Sequence, residues 1–109
     1  THDQLVAMTS HLPQITASSL IEELITNEKK HSEINDLIGS GFLDLTRIAA
    51  GNPEMWLDIF ITNKDNIINE IDGLINKLNK FRKYIKNEDI DKINEIMTRT
   101  KNKRKKLER

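Results

Sequence analysis

A row of apolar residues, spaced alternately four and three positions apart, constrains the fold of this chain more than any other feature. The row consists of Ile67, Ile71, Leu74, Leu78, Phe81 and Ile85, with Ile68 and Ile75 beside it. Side chains at this spacing share one face of a helix and form the seam of a coiled coil. The pattern predicts a helix over residues 64–86 whose wide apolar face must be covered.

Residues 3–27 also show helical periodicity and predict a first helix. Pro13 lies inside this pattern and lacks the amide that would bond the carbonyl of Thr9, so the helix should kink there. A second face of the helix carries only small or polar residues, namely Asp3, Ala7, Ser10, Gln14 and Ala17. Such a face either packs closely on another helix or borders a ligand.

The middle of the chain predicts short elements joined by turns. Residues 28–40 are a polar connection with one helical turn at 32–37, and Gly39-Ser40-Gly41 indicates a tight turn or a close backbone approach. A short helix over 42–50 should follow, and its buried side would be Leu45, Ile48 and Ala49.

Local signals predict where the remaining helices begin. Gly51 should end the short helix, and Asn52-Pro53 has the order of a cap followed by a proline at the first helical position. Thr62-x-x-Asp65 resembles a capping box that restarts the helix in a new direction. Residues 87–89 predict a turn and cap before a last helix over about 89–107.

These elements predict an all-α fold, a bundle of about five to six helices in which the last two form a long hairpin. A domain of 109 residues buries about 65% of the surface of its extended chain. The apolar stripe at 90–97 is too narrow to cover the seam at 67–85. We therefore expect an obligate helical homodimer.

The sequence also excludes several classes of protein. It has no apolar run near the roughly 20 residues of a membrane span, no signal-peptide pattern at its start, and no cysteine for a disulfide or a thiolate zinc site. At 109 residues the chain is too short for a complete two-domain dinucleotide enzyme. We expect a cytoplasmic protein that does not bind a membrane.

The formal net charge of zero is the sum of two unlike halves. Residues 1–60 carry 3 basic and 9 acidic side chains, whereas residues 61–109 carry 14 basic and 8 acidic ones. The basic end has no interleaved aromatic residues, and cations suit the C-terminal end of a helix dipole. A solvated helix end is therefore favoured over a nucleic-acid-binding segment.

Few residues indicate chemistry on their own. His2 and His11 are nine positions apart, which is not the spacing of a helical zinc pair, and His31 lies in a polar loop, so we predict no metal site. Arg47 follows the glycine-flanked turn and lies among apolar residues, where a guanidinium is costly unless paired. Either Asp44 or an anionic ligand could pair it.

Five motifs occur in order along the chain. They are His2-Asp3, Ser10-His11-Leu12-Pro13, Gly41-Phe42-x-Asp44-x-Thr46-Arg47-Ile48-Ala49, Pro53-Glu54-Met55-Trp56-x-Asp58-Ile59-Phe60 and Asn63-Lys64-Asp65. Together they resemble the C-terminal helical domain of prephenate dehydrogenase. The resemblance extends from residue 2 to about residue 85, and the final helix matches only in character.

This resemblance implies a function shared with a longer protein. Enzymes of the family oxidatively decarboxylate prephenate to 4-hydroxyphenylpyruvate with NAD, in tyrosine biosynthesis. Their N-terminal Rossmann domain binds NAD and supplies the catalytic histidine, while the helical domain forms an interlocked dimer and closes the active-site cleft. We expect residues 1–109 to be one helical domain that lacks the NAD domain and is inactive alone.

The resemblance also assigns roles to single residues. Arg47 would anchor a substrate carboxylate, and Asp44 would position or pair it, within the chain or across the dimer. Many relatives carry His where this chain has Gln14, which can hydrogen-bond but carries no charge, so the mode of tyrosine feedback inhibition stays open. The residues expected to line the pocket are His2, Ser10, His11, Gln14 and Trp56, with support from Asp3 and Thr46.

Two further expectations concern the context of the chain. Some relatives with a similar Gln continue into a regulatory ACT domain, and residues 101–109 would then be the linker helix that leads to it. The alternative function is a non-catalytic, dimeric helical interaction module. Such a module would have no anion-binding cleft near Arg47.

Overall fold

The computed structural model describes residues 1–108, and no β-strand occurs among them. A π-helical turn (Ala7–His11) lies between the first two α-helices, and two 3-10 helices cover Ser32–Leu37 and Arg47–Ala50. The predicted all-α fold is confirmed. The α-helices are α1 (His2–Val6), α2 (Leu12–Glu28), α3 (Ser40–Thr46), α4 (Pro53–Thr62), α5 (Lys64–Lys86) and α6 (Ile90–Leu107).

The chain divides into two compact units. The first is Thr1–Ile71, and the second begins at Asp72. In the first unit, α2 packs against α3 and against both 3-10 helices. The prediction of a single domain over residues 1–109 stays a prediction. The buried residues are Ala7, Leu12, Gln14, Ala17, Thr46 and Ile67, all in the first unit.

The π-helical turn accommodates Pro13. The amide of Leu12 donates to the carbonyl of Ala7, five residues back instead of the four of an α-helix. Pro13 then lies in the first turn of α2, where a missing amide costs little. The predicted irregularity at this proline is therefore present, in the form of a widened turn.

The predicted tight turn at Gly39-Ser40-Gly41 is wrong. Gly39 is the N-cap of α3 in an extended conformation (φ −109°, ψ −174°), and Ser40 and Gly41 already belong to the helix. A Cβ on Gly39 or Gly41 would meet nothing within 4 Å among the described residues. Neither the left-handed backbone nor a close approach requires glycine at these two positions.

The predicted buried side of the following helix is also wrong for this chain. Leu45 and Ile48 are exposed, Ala49 is half-buried, and Thr46 is buried instead. For Ile48 the reason is a change of helix type, because the α-helix ends at Thr46 and a 3-10 helix begins at Arg47. The turn per residue rises from about 100° to about 120° at that junction, so a single α-helical periodicity assigns the wrong face.

Of the two caps predicted in this part of the chain, the one at Asn52 is present and the one at Thr62 is not. The side chain of Asn52 accepts hydrogen bonds from the amides of Glu54 (2.9 Å) and Met55 (3.2 Å), which confirms the cap before α4. The predicted restart of the helix near Thr62 is confirmed, since α4 ends at Thr62 and α5 begins at Lys64, but the capping box is wrong because α5 follows Asn63 and not Thr62. The carbonyl of Asn63 accepts the first bond of that helix, from the amide of Ile67 (3.1 Å).

Helices α5 and α6 are joined by the predicted turn and cap. Glu88 has a left-handed backbone (φ 52°), the amide of Asp89 donates to Tyr84, and the amide of Glu88 donates to Ile85. These two bonds form a Schellman motif, which satisfies the last carbonyls of α5. The side chain of Asp89 then accepts from the amide of Lys92 (3.2 Å) and caps α6.

Only Ile67, near the start of α5, is a buried residue of the apolar seam. Leu78 and Ile85 are 57% and 62% exposed. Apolar side chains on α6 are also open, with Ile90 and Met97 exposed. Among the described helices, none has both the length and the apolar character needed to cross a membrane.

Candidate functional site

The candidate site is a cavity of about 480 Å³ in the first unit. Helix α2 contributes Gln14 and Ser18, and α4 contributes Trp56 and Phe60. Gln14 is only 5% exposed, so its amide is one of the few polar groups that the fold buries. The remaining lining residues are Ala49, Gly51, Pro53 and Leu57. The lining is mainly apolar with a few polar groups, as is common in sites for small organic ligands.

Gly51 allows the indole ring of Trp56 to lie against the backbone. A Cβ on Gly51 would lie 2.6 Å from Nε1 and 2.9 Å from Cδ1 of Trp56, and 3.5 Å from Nε2 of Gln14. Gly51 has an ordinary extended backbone (φ −80°, ψ 171°), so space and not backbone conformation requires glycine here. The position of the indole ring thus depends on the absence of a side chain at residue 51.

Trp56 also contacts two aromatic rings. Its ring meets that of His11 edge to face, with centroids 6.1 Å apart and planes at 82°, and it lies 5.6 Å from the ring of Phe60. Both separations are within the range of favourable aromatic pairs. Trp56 therefore connects the end of the π-helical turn with α4.

Asn63 connects α1, the π-helical turn and α5 at a second cavity, of about 200 Å³. Its Nδ2 donates to the carbonyl of Asp3 (2.9 Å) and lies 3.2 Å from Nδ1 of His11. Its Oδ1 accepts from Nδ2 of Asn66 (2.8 Å). Nδ1 of His11 accepts a hydrogen bond from this amide in the tautomer whose proton is on Nε2. Asp58, Ile59 and Thr62 complete the lining.

The structure brings together some of the residues that the sequence predicts for the site. Gln14 and Trp56 share the larger cavity, while His11 and Asp3 share the smaller one. His2 and Ser10 are exposed and line neither cavity.

Arg47 is not in the apolar setting predicted for it. Its side chain is exposed, and so are its neighbours Leu43, Leu45 and Ile48. No ion pair joins it to Asp44 within residues 1–108. The single chain thus holds no Arg47–Asp44 ion pair, and the role of Asp44 in positioning or pairing Arg47, within the chain or across the dimer, stays a prediction.

Thr46 has a local role. It is buried, and its Oγ1 donates to the carbonyl of Phe42 (2.7 Å) inside α3. The hydroxyl is thus used by its own helix, and the support of the pocket by Thr46 stays a prediction. Over the part of the chain that the structure describes, no three His, Asp or Glu side chains gather in a way that could hold a metal ion.

Sequence reasoning missed two residues of the site. The sequence indicates Gly51 only as a helix end, although it lies five residues before the single tryptophan. Asn63 stands out only as part of a motif, although an asparagine between two helices is a common cap and bridging residue. Neither contact leaves a periodic signal, because one is a close approach and the other spans 60 positions.

The fold and the cavities define a class of protein, an all-α domain with two surface cavities and uncovered apolar helix faces. The particular family follows from comparison with known proteins. The chain belongs to the family described as prephenate dehydrogenase, dimerization domain, whose model matches residues 1–99.

Individual relatives agree with this family. The chain is similar to a prephenate dehydrogenase of Bacillus subtilis, with 36% identity over 92 residues, which are 84% of this chain and 25% of that protein. Among solved structures it is similar to arogenate dehydrogenase of Synechocystis (TM-score 0.88, 26% identity, covering 98% of this chain and 39% of that one). It is also similar to prephenate dehydrogenase of A. aeolicus in complex with hydroxyphenyl propionate and NAD+ (TM-score 0.83, 34% identity, 98% and 37%). The chain thus spans about a quarter of the length of the curated relative.

Proposed function

We propose that this chain is the dimerisation and substrate-binding part of a cytoplasmic, NAD-dependent prephenate dehydrogenase. The longer protein would oxidatively decarboxylate prephenate to 4-hydroxyphenylpyruvate in tyrosine biosynthesis. The observation that carries the proposal is the family match over residues 1–99. Similarity to a structure that holds hydroxyphenyl propionate and NAD+ supports it.

The cofactor would be bound elsewhere in the longer protein. Residues 1–108 contain no strand, and hence no Gly-rich turn between a strand and a helix of the kind that binds a dinucleotide pyrophosphate. The residues of this chain therefore do not fit NAD, and a separate Rossmann domain would supply the cofactor cradle and the catalytic groups. Isolated, the 109-residue chain should show no hydride transfer.

Arg47 would bind a carboxylate of the substrate. Its guanidinium is exposed and free of carboxylate partners within the described residues, so its donors are open to a ligand. A planar guanidinium matches a carboxylate with two parallel hydrogen bonds. In the dimer, Asp44 of the second copy would orient this guanidinium. Closure by the NAD domain would remove water and strengthen the ion pair.

The cavity at Gln14 and Trp56 would take the ring of the substrate. Its volume of about 480 Å³ and its lining of Trp56, Phe60 and Leu57 suit a six-membered ring. The amide of Gln14 offers a donor and an acceptor for a ring substituent without adding charge. Tyrosine, which has a ring of similar size, would act as a feedback inhibitor by occupying the same cavity. His2, Ser10 and His11 would support this side of the pocket from the first helical segments.

The experiment that tests this function uses the complete open reading frame. We expect NAD-dependent oxidation of prephenate, followed by the absorbance of NADH. An Arg47→Ala variant should raise KM for prephenate by a factor that corresponds to roughly 2–4 kcal/mol, if the ion pair is desolvated in the closed protein. Arg82→Ala is the matched control, because Arg82 is exposed on α5 and lines neither cavity.

The outcomes separate the proposal from the alternative of a non-catalytic interaction module. An unchanged KM in Arg47→Ala would remove Arg47 from the site while leaving the enzyme class intact. A complete protein without prephenate oxidation, or without an NAD-binding domain, would favour the interaction module instead.

A further inference from the structure

Helices α5 and α6 form a groove of about 440 Å³ in the second unit, which we call the basic groove. Phe81, Tyr84 and Ile96 give it an apolar floor, and each of them is half-buried. Lys77, Lys80 and Arg99 are among its cationic residues. The groove therefore combines an apolar floor with a positively charged rim.

Part of this positive charge is not neutralised inside the chain. Glu95 lies 3.8 Å from Lys92 and 3.6 Å from Arg99, so a single carboxylate serves both cations on α6. Lys77 and Lys80 have no carboxylate within 4.0 Å among residues 1–108. From residue 72 onward the sequence carries 13 Lys and Arg against 6 Asp and Glu.

Helix α4 presents the complementary surface, which we call the acidic stripe. It consists of Glu54, Leu57, Asp58 and Ile61, whose spacing places them on one side of the helix. Leu57 and Ile61 are 63% and 66% exposed, and neither acid has an ion pair within the described residues. Residues 1–71 carry 4 Lys and Arg against 11 Asp and Glu.

We propose that the acidic stripe of one copy docks in the basic groove of a second copy. Leu57 and Ile61 would anchor on Phe81 and Ile96, in the manner of an amphipathic helix in a groove. Glu54 and Asp58 would face Lys77 and Lys80. In a twofold dimer the contact occurs twice, since each copy gives a stripe and receives one. The inference rests on the dimer of the proposed function and names the surfaces that form it.

Charge argues for this pairing and against the simplest alternative. If the hairpins of two copies packed against each other, two segments that each carry a net charge of +7 over residues 72–109, by the counts of 13 and 6, would meet. Like charges brought together weaken association, whereas opposite charges strengthen it and fix the register. Asp58 also lines the cavity that contains His11, so docking would bring the second copy to the edge of that cavity.

The test exchanges the charges of the two surfaces and measures self-association of the 109-residue chain by sedimentation velocity. Lys77→Glu with Lys80→Glu makes the groove acidic, and Glu54→Lys with Asp58→Lys makes the stripe basic. Each double variant alone then has two like-charged contacts, and its dimer should be at least about tenfold weaker. In an equimolar mixture both contacts are complementary again, so a heterodimer should form. Circular dichroism checks that each variant stays helical.

Lys101→Glu with Lys105→Glu is the matched control, since it makes the same charge change on α6 outside the groove. It should leave dimerisation within about twofold of the parent chain, because exposed charges beyond a contact act weakly. A parent chain that stays monomeric would overturn the dimer of the proposed function. If neither double variant weakened the dimer, or if the two double variants formed no heterodimer when mixed, only this docking would be overturned. If Leu78→Glu weakened the dimer while Glu54→Lys with Asp58→Lys did not, the two copies would instead pack hairpin against hairpin, and this docking would be overturned.

Discussion

At the scale of single residues, position 51 is where the structure most clearly requires glycine. Its Cα lies so close to the indole of Trp56 that a Cβ would come within 2.6 Å of Nε1. Contacts that short force either the ring or the backbone to move. Since the ring forms a wall of the larger cavity, a change at Gly51 reaches the candidate site without altering any group that binds a ligand.

Gly51→Ala should therefore lower the free energy of unfolding by about 1–3 kcal/mol, because it overpacks a fitted contact. The emission of the single tryptophan should shift as the indole ring is displaced. Gly73→Ala is the control, and it should raise the free energy of unfolding instead of lowering it. Gly73 lies in α5 with nothing within 4 Å of its Cβ position, so alanine should stabilise the helix by about 0.5–1 kcal/mol. Equal effects of the two substitutions in denaturant titrations would contradict the close approach at Gly51.

Asn63 offers a test of the bonds between separate segments. Its amide donates to Asp3 and to His11, and its carbonyl oxygen accepts from Asn66. Asn63→Asp keeps a residue that caps α5 well but replaces the donor by a carboxylate oxygen. The free energy of unfolding should fall by about 1–3 kcal/mol, the cost of acceptors that lose their partner. Asn79→Asp, an exposed position of the same helix, should change it by less than about 0.5 kcal/mol. If Asn63→Asp also lowered the free energy of unfolding by less than about 0.5 kcal/mol, water would be replacing the hydrogen bonds that the amide makes to Asp3 and His11.

At the scale of the elements, local signals predict helix limits well. Helix α5 has the bounds that the four-and-three spacing of its apolar residues predicts, and Asn52 and Asp89 cap helices where their positions indicate. Such signals act over three to four residues and do not depend on the rest of the fold. The buried face after Thr46 was predicted wrongly, because a change from α- to 3-10-helix shifts the phase.

The elements of the site were harder to predict for a different reason. The bonds from Asn63 to Asp3 and His11 span 60 and 52 positions, and the meeting of Gly51 with Trp56 depends on a turn geometry. No periodicity records contacts of that kind. Motif resemblance predicts Gln14, His11 and Trp56 as site residues, but it carries no information on the exposure of Arg47 in one chain.

The turn between α5 and α6 gives a prediction at this scale. Glu88 adopts a left-handed backbone, φ 52°, in which a Cβ is strained. Glu88→Gly should raise the free energy of unfolding by about 0.5–1 kcal/mol, since glycine is the preferred residue at the left-handed position of a Schellman motif, which Glu88 occupies. Asn87→Gly, the neighbour without a positive φ, should lower it. Denaturant titrations of both variants measure the change in the free energy of unfolding. A decrease in Glu88→Gly would mean that the side chain of Glu88 makes a contact that stabilises the fold by more than the backbone strain destabilises it.

At the scale of the whole molecule, the small core explains why association matters. The buried apolar residues are Ala7, Leu12, Ala17 and Ile67, and among the described residues no large side chain is fully buried. Many large apolar side chains on α4, α5 and α6 are exposed. Because apolar burial contributes about 25 cal/mol per Å², a single chain of this kind gains little of the stability that its composition could provide. A second copy that covers the exposed apolar faces would provide the additional stability.

The stability of the molecule should therefore depend on its concentration. A dimer that is more stable than its monomers unfolds at a temperature that rises with protein concentration, because unfolding also separates the chains. Calorimetry over about a hundredfold range of concentration should show this rise. Ile61→Lys should weaken the dependence, since Ile61 is 66% exposed in one chain and would cost little there unless a second copy covers it. Leu37→Lys, at an exposed position in a 3-10 helix of the first unit, should leave it unchanged. A melting temperature that does not vary with concentration would mean that the chain is stable with its apolar faces open.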